Sequence, residues 1–160
     1  MIRVAVQEDI PAIQQIAATS WSYTYEGIIP EAIQQQFISQ AYAEEWLQHR
    51  LNETIVYVVT ESEQVVGFVN VKPLEQPGHY ECLALYLQPT VFRKGYGTKL
   101  LQHVIKDFSI ESMTLIVEKD NKIGRSFYEA FGFEEVQQFE EDFLGHSLQS
   151  VEMRWSHDME

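Results

Sequence analysis

The spacing of apolar residues predicts that the first third of the chain is mainly helical. After a short strand at residues 2–6, apolar side chains recur over residues 10–19 at the three- and four-residue intervals of a helix. Similar stripes predict a helix after Pro30 and another over about 41–51. The stretch "SWSYTYEGIIP", residues 20–30, separates the first two stripes and is predicted to be an aromatic loop.

From residue 55 the pattern changes to the alternation typical of strands. The runs "IVYVVT" and "VVGFVNVK" are separated by the polar tetrad "ESEQ", which predicts a hairpin, and "YECLALYLQP" predicts a third strand. A helix over about 95–108, the strand "MTLIVE", a helix over about 121–131 and the strands "FEEVQQF" and "SLQSVEMRW" follow. Because no linker or repeat interrupts the sequence, we expect one α/β domain over residues 1–160, with a mixed sheet of six or seven strands.

Composition and charge exclude several classes of function. The formal net charge of −13 argues against nucleic acid as a partner, because phosphate backbones need a basic surface. Seven of the 11 Lys and Arg residues lie between positions 93 and 125, so an acidic protein has one basic region. Cys82 is the only cysteine, and no paired Cys or His residues suggest a metal site. Without a signal-like start or an apolar run of membrane-spanning length, the chain is expected to be cytoplasmic and not bound to membranes.

The basic region contains the glycine-rich stretch "FRKGYGTKLL", residues 92–101, between a predicted strand and a predicted helix. The first amides of a helix lack partners and bind anions, and Gly95 and Gly97 would let a pyrophosphate approach the backbone. Arg93 and Lys94 add positive charge. The stretch matches neither a Walker A loop nor a full dinucleotide fingerprint, so a purely structural turn is the alternative.

Two motifs resemble those of the GNAT superfamily, the N-acetyltransferases that depend on acetyl-coenzyme A. "LYLQPTVFRKGYGTKLL" resembles motif A, Q/R-x-x-G-x-G/A after a strand, and "VEKDNKIGRSFYEAFGFEEV" resembles motif B, an Asn before a helix followed by F-Y and G-F. "SWSYTYEGIIP", "WLQHRL" and "GHSLQSVEMRW" extend the similarity over nearly the whole chain. In one departure, Phe92 stands at the Q/R position. The resemblance implies a GNAT-like mixed, mostly antiparallel sheet of six to seven strands flanked by helices.

The resemblance also implies a cosubstrate and its contacts. The cosubstrate is acetyl-CoA, with no metal, and its predicted contacts are the backbone of Leu85 and Leu87, the loop residues Arg93, Lys94, Gly95, Gly97 and Thr98, and Asn121. The alternative for Asn121 is an ordinary helix cap.

Tyr128 and Glu81 are the predicted catalytic residues. By resemblance, Tyr128 gives a proton to the departing thiolate of coenzyme A, and the alternative is a core aromatic residue. Strand alternation groups Glu81 with Leu83, Leu85 and Leu87 on one face, where apolar neighbours would favour proton uptake from the acceptor amine. The alternatives are an exposed glutamate at this position, or His79 as a weaker candidate base. Because no histidine is patterned to activate Cys82, we expect direct attack in a ternary complex.

The aromatic stretch is expected to border the acceptor site, as the equivalent stretch does in similar proteins. Trp21, Tyr23, Tyr25 and Glu26 combine aromatic rings with a carboxylate, which suits a cationic amine. The predicted acceptor is therefore a small primary amine or polyamine. Two alternatives stay open, a protein N-terminus or lysine as the acceptor and a non-catalytic CoA-binding sensor. A homodimer through the C-terminal strands is a further option that the resemblance offers.

Overall fold

Seven strands and five α-helices make up the part of the chain, residues 1–157, that the computed structural model describes. In chain order they are β1 (Ile2–Val4), α1 (Ile10–Tyr25), α2 (Glu31–Ala41), α3 (Glu44–Glu53), β2 (Ile55–Glu61), β3 (Gln64–Pro73), β4 (His79–Leu87), α4 (Tyr96–Phe108), β5 (Ser112–Glu118), α5 (Lys122–Phe131), β6 (Glu134–Phe143) and β7 (His146–Ser156). Within these residues no helix is both long and apolar enough to cross a bilayer.

The strands form one sheet in the order β1-β2-β3-β4-β5-β7-β6. Every neighbouring pair is antiparallel except β4 and β5, which are parallel and joined through α4. The predicted α/β class and the mixed, mostly antiparallel sheet of six to seven strands are therefore confirmed. The hairpin at "ESEQ" is confirmed as the turn between β2 and β3.

The two faces of the sheet are covered differently. On one face, Leu100 and Val104 of α4 pack into a core with Val69, Met113 and Met153 from the strands. On the other face, α1 and α3 cover β2, β3 and β4. They leave much of β5, β7 and β6 open on that face, and Ile116 of β5 is 53% exposed there. We call this region the open face.

Helix α1 ends later than the apolar stripe predicted. It runs to Tyr25, so the first six residues of the predicted aromatic loop are helical. Trp21 and Tyr25 continue the four-residue spacing of Ile13 and Ala17, and their rings pack against each other at 4.6 Å. Trp21 also stacks on Phe37 at 4.4 Å. This packing holds a helical segment whose serines, threonine and aromatics have modest helix propensity.

Candidate active site

Strands β4 and β5 separate soon after they begin, which opens a cleft in the middle of the sheet. They pair at three positions, the last being Glu81 with Thr114. β4 then continues to Leu87 and β5 to Glu118, each hydrogen-bonded only to its other neighbour. The backbone groups of β4 that point toward β5 therefore have no strand partner beyond Glu81. Unpaired strand N–H and C=O groups are ready to bind an extended ligand.

A β-bulge in β4 decides which side chains face the helices. Ala84 pairs with Asn70 and Cys82 pairs with Val71, so Leu83 is an extra residue without a partner on β3. An extra residue shifts the alternation of a strand by one position. The side chains of Cys82, Leu85 and Leu87 consequently all lie in the core beneath α4.

Glu81 lies on the opposite face from the one that simple alternation predicts. It pairs with Lys72, and the Lys72 Nζ atom lies 3.7 Å from the Glu81 Oε1 atom. The predicted grouping with Leu85 and Leu87, and with it the apolar surroundings, is therefore wrong, because the bulge intervenes. The Glu81 side chain is 30% exposed at the point where β4 and β5 diverge. Its role as the proton acceptor stays a prediction. His79 lies at the closed end of the cleft, where it lines a separate cavity of about 690 Å³.

Tyr128 of α5 packs against the core that contains Cys82 of β4 and Leu115 of β5. The pKa of Tyr128 is raised well above its usual value, chiefly by burial and then by Cys82, Tyr86 and Tyr25. Tyr128 therefore stays protonated near neutral pH and can donate a proton. Its ring packs edge-on against Phe127 and Phe133, at 5.3 and 5.4 Å.

The buried Cys82 is a poor nucleophile. Cys82 is 6% exposed, and burial raises the pKa of its thiol to about 12. A thiol attacks as its thiolate, and this one is almost entirely protonated at neutral pH. The environment of Cys82 is therefore that of a structural cysteine.

The predicted acceptor contacts of α1 do not converge. Trp21 and Tyr25 are buried, whereas Glu26 is exposed and lines a cavity of about 490 Å³ with Tyr23 and Pro89. The Trp21 indole donates a hydrogen bond from Nε1 to Tyr86 Oη at 2.8 Å. Because protein rings stack on it, Trp21 has no free face for a cation and instead positions Tyr86. Burial is the main reason that the pKa of Tyr25 is raised. Its hydroxyl lies near the side chains of Asn121 and Glu118.

The loop before α4 has the backbone geometry of an anion site. Arg93 and Gly95 have left-handed backbones, with φ of +68° and +83°, and Lys94 lies between them. Successive residues of opposite backbone hand make a concavity of N–H groups, and the free amides at the start of α4 adjoin it. A Cβ added at Gly95 would meet nothing within 4 Å, so this glycine borders open space. Phe92, at the Q/R position of motif A, packs edge-on against Tyr23 at 5.4 Å.

Gly97 has a packing role that the sequence did not indicate. A Cβ at this position would lie 3.0 Å from the Cζ atom of Phe127. The missing side chain therefore lets α4 approach α5, and the predicted close approach of a pyrophosphate stays a prediction. The predicted contacts through the amides of Gly97 and Thr98 stay predictions. The Lys94 Nζ atom donates to Glu61 Oε2 at 3.2 Å, and Arg93 is exposed.

Asn121 caps helix α5 at the wide end of the cleft. Its Oδ1 accepts a hydrogen bond from the Gly124 amide at 2.9 Å, so the cap is present and the cofactor contact stays a prediction. Sequence reasoning missed Glu118, which is 8% exposed and accepts the Asp120 amide at 2.6 Å through Oε2. Burial is the main cause of the raised pKa of Glu118. A charged residue at the end of a strand gives no sequence signal of burial.

Comparison with known proteins agrees with this geometry. The model of the acetyltransferase (GNAT) family matches residues 11–133. The chain is 29% identical over 152 residues to the spermidine N(1)-acetyltransferase of Thermoplasma acidophilum, which covers 89% of this chain and 93% of that protein. It is 29% identical over 161 residues to the uncharacterized N-acetyltransferase YuaI of Bacillus subtilis, covering 96% and 91%. The crystal structure of the PaiA N-acetyltransferase of T. acidophilum in complex with coenzyme A superposes with a TM-score of 0.82 at 26% identity, over 98% of each chain.

Proposed function

The chain belongs to the acetyltransferase (GNAT) family, and on that premise we propose that it transfers an acetyl group from acetyl-CoA to a primary amine of a small cationic acceptor, such as a polyamine. The observation that carries the proposal is the cleft between β4 and β5, with the protonated Tyr128 beside it and an anion-binding loop before α4. A relative that is named a spermidine N(1)-acetyltransferase supports the choice of acceptor.

The residues present fit acetyl-CoA. The left-handed Arg93 and Gly95 present loop amides for the pyrophosphate, and unpaired backbone of β4, including Leu85 and Leu87, suits the amide-rich pantetheine arm. When bound, acetyl-CoA supplies an activated thioester. The chain's own part is then to hold this group, orient the acceptor and move two protons.

Each of the two protons has its own candidate residue, and the two residues lie on opposite faces of the sheet. Tyr128 holds a proton at Oη and gives it to the departing sulfur, and its raised pKa keeps that proton in place near neutral pH. Glu81 is our candidate to receive the amine proton, because its partly exposed side chain lies at the edge of the open face, where β4 and β5 diverge. An acceptor can reach Glu81 from the open face, while α4 and α5 cover the other side of the sheet. Attack by the amine is direct, since the buried thiol of Cys82 is not a nucleophile.

Charge favours a cationic acceptor. The protein has a net charge of −13, and its basic residues are concentrated at residues 93–125, around the anion-binding loop. Glu152 lies on the open face, where it pairs with the exposed Ile116, and Glu81 lies beside it, but Lys72 and Arg154 are on the same side of the sheet. The charge that favours a cation is therefore that of the whole protein surface. An acidic surface of this kind raises the local concentration of a polycation and repels anionic acceptors.

Thiol release from acetyl-CoA tests the proposal. We would assay the wild type and Tyr128→Phe with a pool of polyamines, amino acids, aminoglycosides and short peptides. The expected result is release that depends on the pool, falls in Tyr128→Phe, and on splitting the pool is fastest with a polyamine. Faster acetylation of peptides would favour a protein substrate. Binding of coenzyme A without any pool-dependent release would favour a non-catalytic sensor.

A further inference from the structure

We propose that Glu61 is a positioning residue for acetyl-CoA, because its carboxylate holds the anion-binding loop at residues 93–98 in its binding conformation. Glu61 is the last residue of β2 and lies far from the loop in sequence. Motif A gives no indication that a residue of β2 contacts this loop. The inference rests on the proposed function, since it concerns the same cosubstrate.

Two side chains of the loop converge on the Glu61 carboxylate. The Tyr96 hydroxyl donates a hydrogen bond to Glu61 Oε2 at 2.5 Å. The Lys94 ammonium donates to the same oxygen at 3.2 Å and to Oε1 at 3.5 Å. Lys94 and Tyr96 are the two neighbours of Gly95. A single carboxylate therefore fixes the chain on both sides of the residue that turns the loop into α4.

The loop needs such a restraint because its backbone is unfavourable. Arg93 has a φ of +68°, a left-handed conformation that residues with a Cβ rarely adopt. Such conformations persist only where surrounding contacts determine them. The Phe92 ring packs on Tyr23 of α1 on one side, and Glu61 holds the loop from the hairpin on the other. Without Glu61, the loop has one anchor fewer, and the amides would be less often arranged for a phosphate.

Glu61 also decides which groups of the loop are free for an anion. The hydrogen bond from Tyr96, and after it the contact with Lys94, lower the pKa of Glu61, so the carboxylate is ionised near neutral pH. The ammonium of Lys94 and the hydroxyl of Tyr96 are thereby engaged with Glu61. The Lys94 amide donates to the Val91 carbonyl at 3.4 Å, so the other loop amides and the exposed Arg93 are the groups that this arrangement presents to the pyrophosphate.

A competing role for the same contacts predicts the opposite effect. If Glu61 only kept Lys94 from the phosphates, removing its charge would release the ammonium and tighten binding. If Glu61 positions the loop, removing its charge weakens binding. The direction of the change in affinity therefore separates the two roles.

Binding of coenzyme A, measured by isothermal titration calorimetry, is the direct test. We would compare the wild type with Glu61→Gln, which removes the charge that holds Lys94, and with Tyr96→Phe, which removes the other contact. Glu63→Gln is the matched control, because Glu63 lies in the same turn and its replacement changes the net charge equally. Because the contacts of Glu61 with Lys94 and Tyr96 lie at the surface, where solvent weakens them, we expect a Kd that is only several-fold weaker.

The expected result is a Kd that weakens about three- to fivefold in Glu61→Gln and Tyr96→Phe but stays within about twofold in Glu63→Gln. The KM for acetyl-CoA should rise in parallel, while kcat at saturation is unchanged, since the cleft is untouched. Unchanged or tighter binding in Glu61→Gln, relative to Glu63→Gln, would overturn the inference. Absence of turnover with coenzyme A binding intact would count against the proposed function alone, because the binding comparison does not depend on an acceptor.

Discussion

Replacing Tyr128 with phenylalanine should separate catalysis from stability. The substitution removes one hydroxyl and leaves the ring that packs on Phe127 and Phe133. Within residues 1–157 the hydroxyl makes no hydrogen bond, and burial is the main reason for the raised pKa of Tyr128. The variant therefore loses a proton donor without losing a structural contact.

The substitution should lower kcat but leave the free energy of unfolding the same or slightly higher. Loss of a general acid costs about 10²- to 10⁴-fold in rate, so kcat should fall by at least about a hundredfold. Burial of a hydroxyl without a partner costs about 1–3 kcal/mol, and because Tyr128 is only half-buried we expect a gain of roughly 0–1 kcal/mol in the free energy of unfolding. In a domain of this size that gain raises Tm by about 0–4 °C.

Tyr57→Phe is the matched control. The Tyr57 hydroxyl donates to Asp107 Oδ2 at 2.7 Å, on the helix-covered side away from the cleft. Because the Asp107 side chain is 40% exposed, we expect this variant to lose about 1 kcal/mol of stability. Its Tm should fall by about 2–4 °C and its kcat should be unchanged.

The measurements are kcat by thiol release at saturating acetyl-CoA and acceptor, Tm by calorimetry, and Kd for coenzyme A by titration. The reasoning is refuted if Tyr128→Phe keeps kcat within about threefold, since an acid catalyst contributes much more than that. A lost activity accompanied by a Tm several degrees below that of the wild type would also refute it. In that case the hydroxyl would be a structural group.

Three further predictions concern the surroundings of the cleft. Gly97→Ala places a Cβ 3.0 Å from Phe127. Overpacking that costs about 1–3 kcal/mol should outweigh the gain of about 1 kcal/mol in helix propensity, so Tm and kcat should both fall. A higher Tm with normal kcat would contradict this. Glu118→Gln keeps an acceptor for the Asp120 amide and removes a charge whose pKa burial raises. A carboxyl whose pKa is raised in the folded state destabilises the fold at any pH above its pKa in the unfolded chain, about 4.5. The variant should therefore unfold at a higher denaturant concentration than the wild type at pH 8 and at the same concentration at pH 4. No difference at pH 8 would argue against this reasoning. Cys82→Ala should keep kcat within about threefold, and any acetylated form of the protein in mass spectra of the wild type should also be present in the variant. An abolished rate would instead point to an acetyl-cysteine intermediate.

Local features of the fold and site could be predicted from the sequence because they depend on neighbours along the chain. The hairpin between β2 and β3, the stripe of α4 and the cap of α5 at Asn121 involve interactions within a few residues. Hydrophobic periodicity and cap chemistry report such interactions directly. The two motifs likewise led to the family, since each is a continuous stretch around the loop or helix that it forms.

Tertiary structure alone decided which side chains meet. The face of Glu81 depends on the extra residue Leu83, which the pairing of β4 with β3 reveals and alternation cannot. The burial of Glu118, the contact of Gly97 with Phe127 and the convergence of Lys94 and Tyr96 on Glu61 each join elements that are distant in sequence. Periodicity states that a residue has an apolar or a polar side, whereas register and packing determine what that side touches.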